Sequence, residues 1–187
     1  ARAMAMSPSV ILADEPTGNL DRHTGQEVMA VLERLHQDGG TVVVVSRFRS
    51  PARRGEELLF RTWFERNGFS IAPWPKAVFF EGAGDALFDD GRDLIWSGCG
   101  FRSDVAAAPL LEKVFERESI PIRLVDPRFY HLDTCLCPLA GGWFMYYPPA
   151  FDAASLEEIG RRVPEIRGLD VVPQVADHLV FRALAAL

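Results

Sequence analysis

Residues 80–87 read Phe-Glu-Gly-Ala-Gly-Asp-Ala-Leu, and this short stretch carries two acids between small residues. Glycines beside Glu81 allow tight backbone turns and a close approach of the backbone to a ligand. A carboxylate in such a turn suits a guanidinium cation, which carboxylates bind through two parallel hydrogen bonds. The stretch therefore predicts a turn that presents Glu81 and Asp85, followed by a short strand.

Two further motifs follow along the chain, Gly-Phe-Arg-Ser-Asp at 100–104 and Tyr-His-Leu-Asp-Thr at 130–134. His131 and Asp133 are two residues apart, so on a strand they share one face. A histidine in that setting serves as a general acid or base, with nearby carboxylates setting its protonation. The three motifs together indicate a polar site for a small cationic substrate.

The composition is that of an ordinary globular chain and excludes several classes of protein. The 187 residues are 48% hydrophobic and carry a net charge of −6, which disfavours a nucleic-acid partner. The odd count of three cysteines fits a reducing compartment, so we expect a cytoplasmic protein. Their spacing does not supply the ligand pairs of a zinc site, so no metal is expected there. No apolar run reaches the roughly 18 residues of a membrane span.

After residue 46 the apolar spacing predicts alternating strands and helices, which is an α/β pattern. We expect helices over about 52–67, 106–118 and 155–162, with Gly68 as the C-cap of the first. The end of the chain, 176–187, reads as a helix or a tail. Strands are predicted at 70–72, 77–80, 86–88, 94–97, 122–125, 135–139, 143–147 and 169–172. Asp-Asp-Gly at 89–91 predicts a hairpin turn.

The first 46 residues have a different pattern, strand, helix and strand, which is typical of a βαβ unit. An apolar strand ends in Asp14 and Glu15; the first carboxylate could hold Mg²⁺, and the second could polarise an attacking water. Residues 10–21, with Asp21 at the end, resemble the Walker B and D-loop segment of ABC transporter ATPases of the lipoprotein- and macrolide-export branch. The 187 residues contain no phosphate-binding loop, so these three acids are expected to be vestigial, and Asp14 to bind Mg²⁺ only in an intact ABC site.

Residues 43–177 resemble the amidinotransferase and dimethylarginine dimethylaminohydrolase superfamily, which also contains arginine deiminase. The motifs at 80–87, 100–104 and 130–134 carry the resemblance, together with Arg-Phe-Arg-Ser-Pro-Ala-Arg-Arg-Gly-Glu-Glu at 47–57. The resemblance implies a five-bladed α/β-propeller, a small guanidino substrate and no cofactor. It implies that His131 is the catalytic acid/base and that Glu81 binds the guanidinium and assists proton transfer. Asp133 would be a second guanidinium ligand and Arg102 would hold the substrate carboxylate. Asp85 is grouped with the substrate-binding residues, with support of its loop as the alternative.

The family reaction uses a cysteine thiolate that attacks the guanidinium carbon, after which an amine leaves and water releases the product. No nucleophile is found among the three cysteines, Cys99, Cys135 and Cys137, which we interpret as buried structural thiols. We therefore expect the chain to be inactive in hydrolysis of guanidino C–N bonds.

The two resemblances meet within 42–49 and predict two parts, 1–45 from an ABC ATPase and 46–187 from an incomplete α/β-propeller. This juxtaposition suggests a chimeric or truncated gene. Two alternatives stay open: an ABC ATP-binding fragment that uses Mg-ATP only when a phosphate-binding loop is supplied, and a fragment without catalysis. Open sheet edges also predict self-association.

Overall fold

A computed structural model describes residues 42–139 and 142–163, and the fold is given for these residues. The chain divides into two compact units, Ala1–Ala83 and Gly84–Leu187. The predicted βαβ unit with Asp14, Glu15 and Asp21, the strand at 169–172 and the segment 176–187 lie outside the described residues. The boundary predicted at 45/46 also stays a prediction.

In the first unit, a helix connects two short parallel strands. Strand β1 (Val42–Val43) pairs with β2 (Ser70–Ile71), and helix α1 (Arg54–Arg66) lies between them in sequence. A 3-10 turn, Pro51–Arg53, leads into α1, where a proline loses no helical hydrogen bond. The helix ends at Arg66 with Asn67 as its C-cap, and Gly68 follows with a φ of 83°, which is costly for any residue with a side chain. The predicted helix is confirmed, and the C-cap lies one residue before the predicted Gly68.

The strand predicted at 77–80 is wrong, because these residues form turns instead of a ladder. Only Phe80 pairs, through an isolated antiparallel bridge to Arg47. The amide of Val78 donates to the carbonyl of Pro75, and the Trp74 indole donates to the carbonyl of Val78. These local bonds use the backbone groups that a strand would need. Trp74 packs on the buried Phe80, with ring centroids 5.2 Å apart.

The second unit is built on a three-stranded sheet with the order β3-β4-β5. Strand β3 (Ala86–Asp89) runs antiparallel to β4 (Leu94–Cys99), which runs parallel to β5 (Glu118–Arg123). Helix α2 (Ala108–Phe115) makes the crossover after a 3-10 turn at Val105–Ala107. Central strand β4 is buried along its whole length. The predicted hairpin at 89–91 is confirmed.

Two predicted boundaries near α2 need correction. The helix ends at Phe115 and not near 118, because Glu116 adopts a left-handed conformation with a φ of 54°. Strand β5 then starts at Glu118, four residues before the predicted strand at 122–125, and ends at Arg123. Its buried Ile120 and Ile122 lie on the core side of the sheet.

The remaining elements pack against this sheet within the second unit. Strands β6 (Leu136–Pro138) and β7 (Phe144–Tyr146) form an antiparallel pair, close to the predicted 135–139 and 143–147. Helix α3 (Ala153–Arg162) begins at Asp152, whose carboxylate accepts a hydrogen bond from the Ser155 amide at 2.9 Å. The core includes fully buried Trp96, Ile122, Leu132 and Ile159.

The α/β class is confirmed by these helices and mixed sheets, whereas the propeller is not shown by the described strands. Within 42–139 and 142–163, no helix combines the length and apolar character needed to cross a bilayer.

The hairpin between β3 and β4 depends on a buried carboxylate, and Asp89→Ala should expose that dependence. Asp89 Oδ2 accepts hydrogen bonds from Arg92 Nη1 at 2.9 Å and from Trp96 Nε1 at 3.1 Å, and the side chain is 2% exposed. Removing it leaves a buried indole N–H without this acceptor, so the free energy of unfolding should fall by about 2–3 kcal/mol. Urea unfolding followed by tryptophan fluorescence measures the loss.

Asp90→Ala is the matched control, because its side chain is 83% exposed and only pairs with Arg117 at the surface. Its loss should cost less than about 1 kcal/mol. Equal effects of the two substitutions would contradict the role given to Asp89.

Candidate functional site

The centre of the candidate site in the second unit is Asp85, a carboxylate that is 1% exposed. Its Oδ1 accepts a hydrogen bond from the Leu132 amide at 3.0 Å. Its Oδ2 accepts one from the Ser103 hydroxyl at 2.6 Å and lies 3.2 Å from His131 Nδ1. A buried carboxylate is tolerated only when it is well hydrogen-bonded; the Leu132 amide and the Ser103 hydroxyl donate two such bonds, and His131 Nδ1 is the third polar neighbour.

Two glycines allow the backbone to approach this cluster. A Cβ atom on Gly98, in β4, would lie 2.5 Å from Asp85 Oδ1 and 2.8 Å from the Leu132 Cβ. A Cβ on Gly84 would lie 3.1 Å from the His131 Cγ. Gly84 thus lets the backbone come close to the His131 side chain, whereas the close approach to a ligand predicted for this motif stays a prediction, and Gly98 in β4 is a second close approach that the motif did not reveal.

The segment that carries His131 is not a strand, so the prediction that His131 and Asp133 share a strand face is wrong. His131 is extended, with a φ of −126°, and a 3-10 turn at Leu132–Thr134 follows it directly. The Thr134 hydroxyl donates to the His131 carbonyl at 2.6 Å and stabilises this turn. The turn buries the Leu132 side chain and aims its amide at Asp85.

Asp133 lies beside this cluster and has an altered acidity. Desolvation by surrounding protein atoms raises the pKa of its carboxyl group, although the side chain still reaches solvent. The nearby His131 opposes this rise in pKa and the charge of Asp85 adds to it. The carboxyl group of Asp133 therefore interacts electrostatically with His131 and with Asp85.

Arg102 approaches the same histidine through an aromatic ring. Its guanidinium carbon lies 5.1 Å from the centre of the Tyr130 ring, which in turn meets the His131 ring edge-on at 5.2 Å. The structure therefore brings four of the predicted residues together: Asp85, Arg102, His131 and Asp133. Sequence reasoning missed Ser103 and Tyr130, although both stand inside the motifs that named their neighbours.

Glu81 belongs to the first unit, where it is 1% exposed. Its Oε1 accepts a hydrogen bond from the Arg49 amide at 3.0 Å. The guanidinium groups of Arg49 and Arg54 lie 4.8 Å and 5.6 Å from the Phe79 ring. The arginine-rich segment at 47–54 thus reaches Glu81 through a backbone amide. The run of arginines at 47–54 was the sequence signal for this environment.

The three thiols of the chain are not activated. Burial raises the pKa of Cys99, Cys135 and Cys137, so each is protonated at neutral pH. The Cys135 Sγ also contacts the Leu132 carbonyl at 3.5 Å. In the described part of the chain, no three side chains of the metal-binding types gather into a possible ion site.

Comparison with known proteins gives two groups of relatives, and no family model matches the chain. It is 52% identical over 125 residues to the bifunctional arginine dihydrolase/ornithine cyclodeaminase ArgZ of Synechocystis, covering 67% of this chain and 18% of that protein. It is 38% identical over 140 residues to the N(G),N(G)-dimethylarginine dimethylaminohydrolase of Mycobacterium tuberculosis, covering 75% of this chain and 44% of the relative. The chain thus spans less than half the length of these relatives.

The solved structures agree with the first group. The structure of a substrate-bound mutant of the ArgZ N-terminal domain superposes with a TM-score of 0.66 and 48% identity. The match covers 74% of this chain and 51% of the ArgZ chain. A second group is shorter: the macrolide export ATP-binding/permease protein MacB of Bartonella quintana is 49% identical over 59 residues, which is 32% of this chain and 9% of that protein.

Gly98→Ala should destabilise the second unit because the new methyl group would overlap Asp85. We expect the free energy of unfolding to fall by about 1–3 kcal/mol, the usual cost of overpacking. Gly160→Ala is the matched control, since a Cβ there meets nothing within 4 Å and the residue lies inside α3. That change should stabilise the chain by about 0.5–1 kcal/mol through helix propensity. Urea unfolding of both variants compares them, and a neutral Gly98→Ala would refute the close approach.

Proposed function

Because about two thirds of the chain is homologous to the arginine dihydrolases and dimethylarginine dimethylaminohydrolases of the amidinotransferase superfamily, we propose that it derives from a guanidino C–N hydrolase. The substrate would be arginine or a methylated arginine. The hydrogen bond between His131 and the buried Asp85 is the observation that carries this proposal, because it prepares a histidine for acid/base work. The same homology supports a five-bladed α/β-propeller for the complete enzyme from which the chain would derive.

His131 is assigned the role of acid and base. A carboxylate can only accept hydrogen bonds, so Asp85 holds the ring with its proton on Nδ1 and leaves the Nε2 lone pair available. When a thiolate attacks the guanidinium carbon, protonated Nε2 gives its proton to the departing amine. The neutral ring then takes a proton from the water that releases the product.

The other predicted residues keep substrate-binding roles in this proposal. Glu81 and Asp133 would bind the guanidinium, and the solvent contact of Asp133 leaves it open to a ligand. Arg102 would hold the substrate carboxylate. The three donors on Asp85 favour the alternative given for that residue, support of the site over direct substrate contact.

The chain would not complete a catalytic cycle with its three thiols. A nucleophilic cysteine needs a lowered pKa, and burial raises the pKa of Cys99, Cys135 and Cys137. We propose that the 187-residue chain binds its substrate and does not turn it over.

A second candidate function rests on the match to MacB. In an ABC-type site, Asp14 would hold Mg²⁺, Glu15 would polarise water and Asp21 would belong to the D-loop. Mg-ATP would then be the cofactor, and a partner would supply the phosphate-binding loop. The two groups of relatives together support a chimeric gene, and a fragment without catalysis is the third candidate.

The proposal predicts binding of L-arginine without turnover. Calorimetric titration of the chain should give saturable binding that Asp133→Asn weakens about ten- to a hundredfold, because a charged hydrogen bond is lost. Asp90→Asn, which changes an 83% exposed carboxylate, should leave the affinity unchanged. Citrulline release should stay at background.

Several outcomes would contradict this account. Absence of saturable arginine binding would contradict the proposed substrate class. Equal effects of Asp133→Asn and Asp90→Asn on the affinity would contradict the role of Asp133 in binding. Citrulline release abolished by Cys135→Ser would show that a buried thiol is the nucleophile after all. ATP hydrolysis lost in Glu15→Gln would favour the ABC candidate.

A further inference from the structure

We propose that Ser103 is a positioning residue that acts through Asp85 to fix the orientation and the proton of the His131 imidazole. This inference rests on the proposed function only for the role of His131 as the acid/base. The contacts among Ser103, Asp85 and His131 form without a substrate.

One carboxylate oxygen links the serine to the histidine. Asp85 Oδ2 accepts from the Ser103 Oγ at 2.6 Å and lies 3.2 Å from His131 Nδ1. Ser103 and Asp85 are each 1% exposed, so water does not compete for these bonds. The other oxygen, Oδ1, is held by the Leu132 amide. The carboxylate therefore cannot rotate without breaking a bond at each end.

The proton positions follow from the chemistry of the groups. An ionised carboxylate has no proton to give, so the Ser103 hydroxyl donates to it and His131 Nδ1 carries a hydrogen. The shared oxygen divides its negative charge between two donors. The hydrogen bond from the serine hydroxyl thereby weakens the attraction between Asp85 and a protonated imidazole. The ring can then release its proton more easily.

Other charges reach the same ring from neighbouring segments. Asp133, on the turn after His131, is coupled to it electrostatically. Arg102 approaches through the Tyr130 ring, which contacts His131 edge-on. The charges of Asp133 and Arg102 are opposite in sign, whereas the Ser103 hydroxyl donates a hydrogen bond directly to Asp85 Oδ2. Ser103 is thus the residue whose removal changes the charge on that oxygen most directly.

The first test reads the tautomer of His131 in Asp85→Asn. The Leu132 amide keeps the asparagine oxygen at the Oδ1 position, which turns the side-chain NH₂ toward His131. Nδ1 must then accept a hydrogen bond, and the proton of the neutral ring moves to Nε2. Long-range ¹⁵N NMR of the labelled chain at high pH should show the Nδ1–H form in the parent and the Nε2–H form in the variant. His131→Gln assigns the signal among the four histidines.

The second test compares two buried serines. In Ser103→Ala, Asp85 Oδ2 keeps only the histidine, so the pKa of His131 should rise by about 0.5–1 pH unit. Ser119→Ala removes another buried hydroxyl, which makes no hydrogen bond, and should leave the pKa of His131 at its parental value. Both are read from the same NMR titration.

An Nε2–H tautomer in the parent, an unchanged tautomer in Asp85→Asn, or equal pKa values in the two serine variants would overturn the proposal. If Ser103→Ala does not fold, Ser103→Cys, which keeps the size of the side chain and replaces the hydroxyl with a weaker donor, should shift the pKa of His131 in the same direction. The imidazole is read without substrate, so failure of arginine binding would refute the hydrolase and leave this result standing.

Discussion

The carboxylate of Asp85 has no contact with bulk water, and a charge in that position must be matched by hydrogen-bond donors or it destabilises the fold. Ser103, His131 and Leu132 supply the donors from two distant segments of the chain. Their approach requires a glycine at position 98, where a side chain would collide with the carboxylate. The local conformation of the whole candidate site follows from satisfying this one group.

The same constraint connects the fold to the proposed chemistry. Because the carboxylate accepts and never donates, it selects one form of the neutral imidazole and aims the other nitrogen away from itself. In the proposed function, a ring fixed in this way would transfer protons during the cleavage of a guanidino C–N bond. The environment of the cysteines acts differently, since burial raises the pKa of each thiol and thus disfavours the reactive thiolate. Under the proposed function, the chain would hold an acid/base residue without an activated nucleophile.

Much of this could be predicted from the sequence because the information is local. The hairpin turn at 89–91, the helix that stops just before Gly68 and the α/β alternation depend on neighbouring residues, and the structure confirms them. The residues around His131 were found through their motifs. Their conformation was not, because a 3-10 turn is stabilised there by contacts with Asp85, 47 positions away. The role of Ser103 was hidden for the same reason, since a serine in a motif does not reveal its acceptor.

Amide hydrogen exchange at Leu132 tests the central claim most directly, because that amide donates to Asp85 Oδ1. The Arg128 amide is a matched reference, since it also donates to an aspartate, Asp126, but at an exposed position. We predict that Leu132 exchanges far more slowly than Arg128, and that Asp85→Ala removes the difference. Equal exchange rates at the two amides in the parent chain would contradict a buried carboxylate that organises the site.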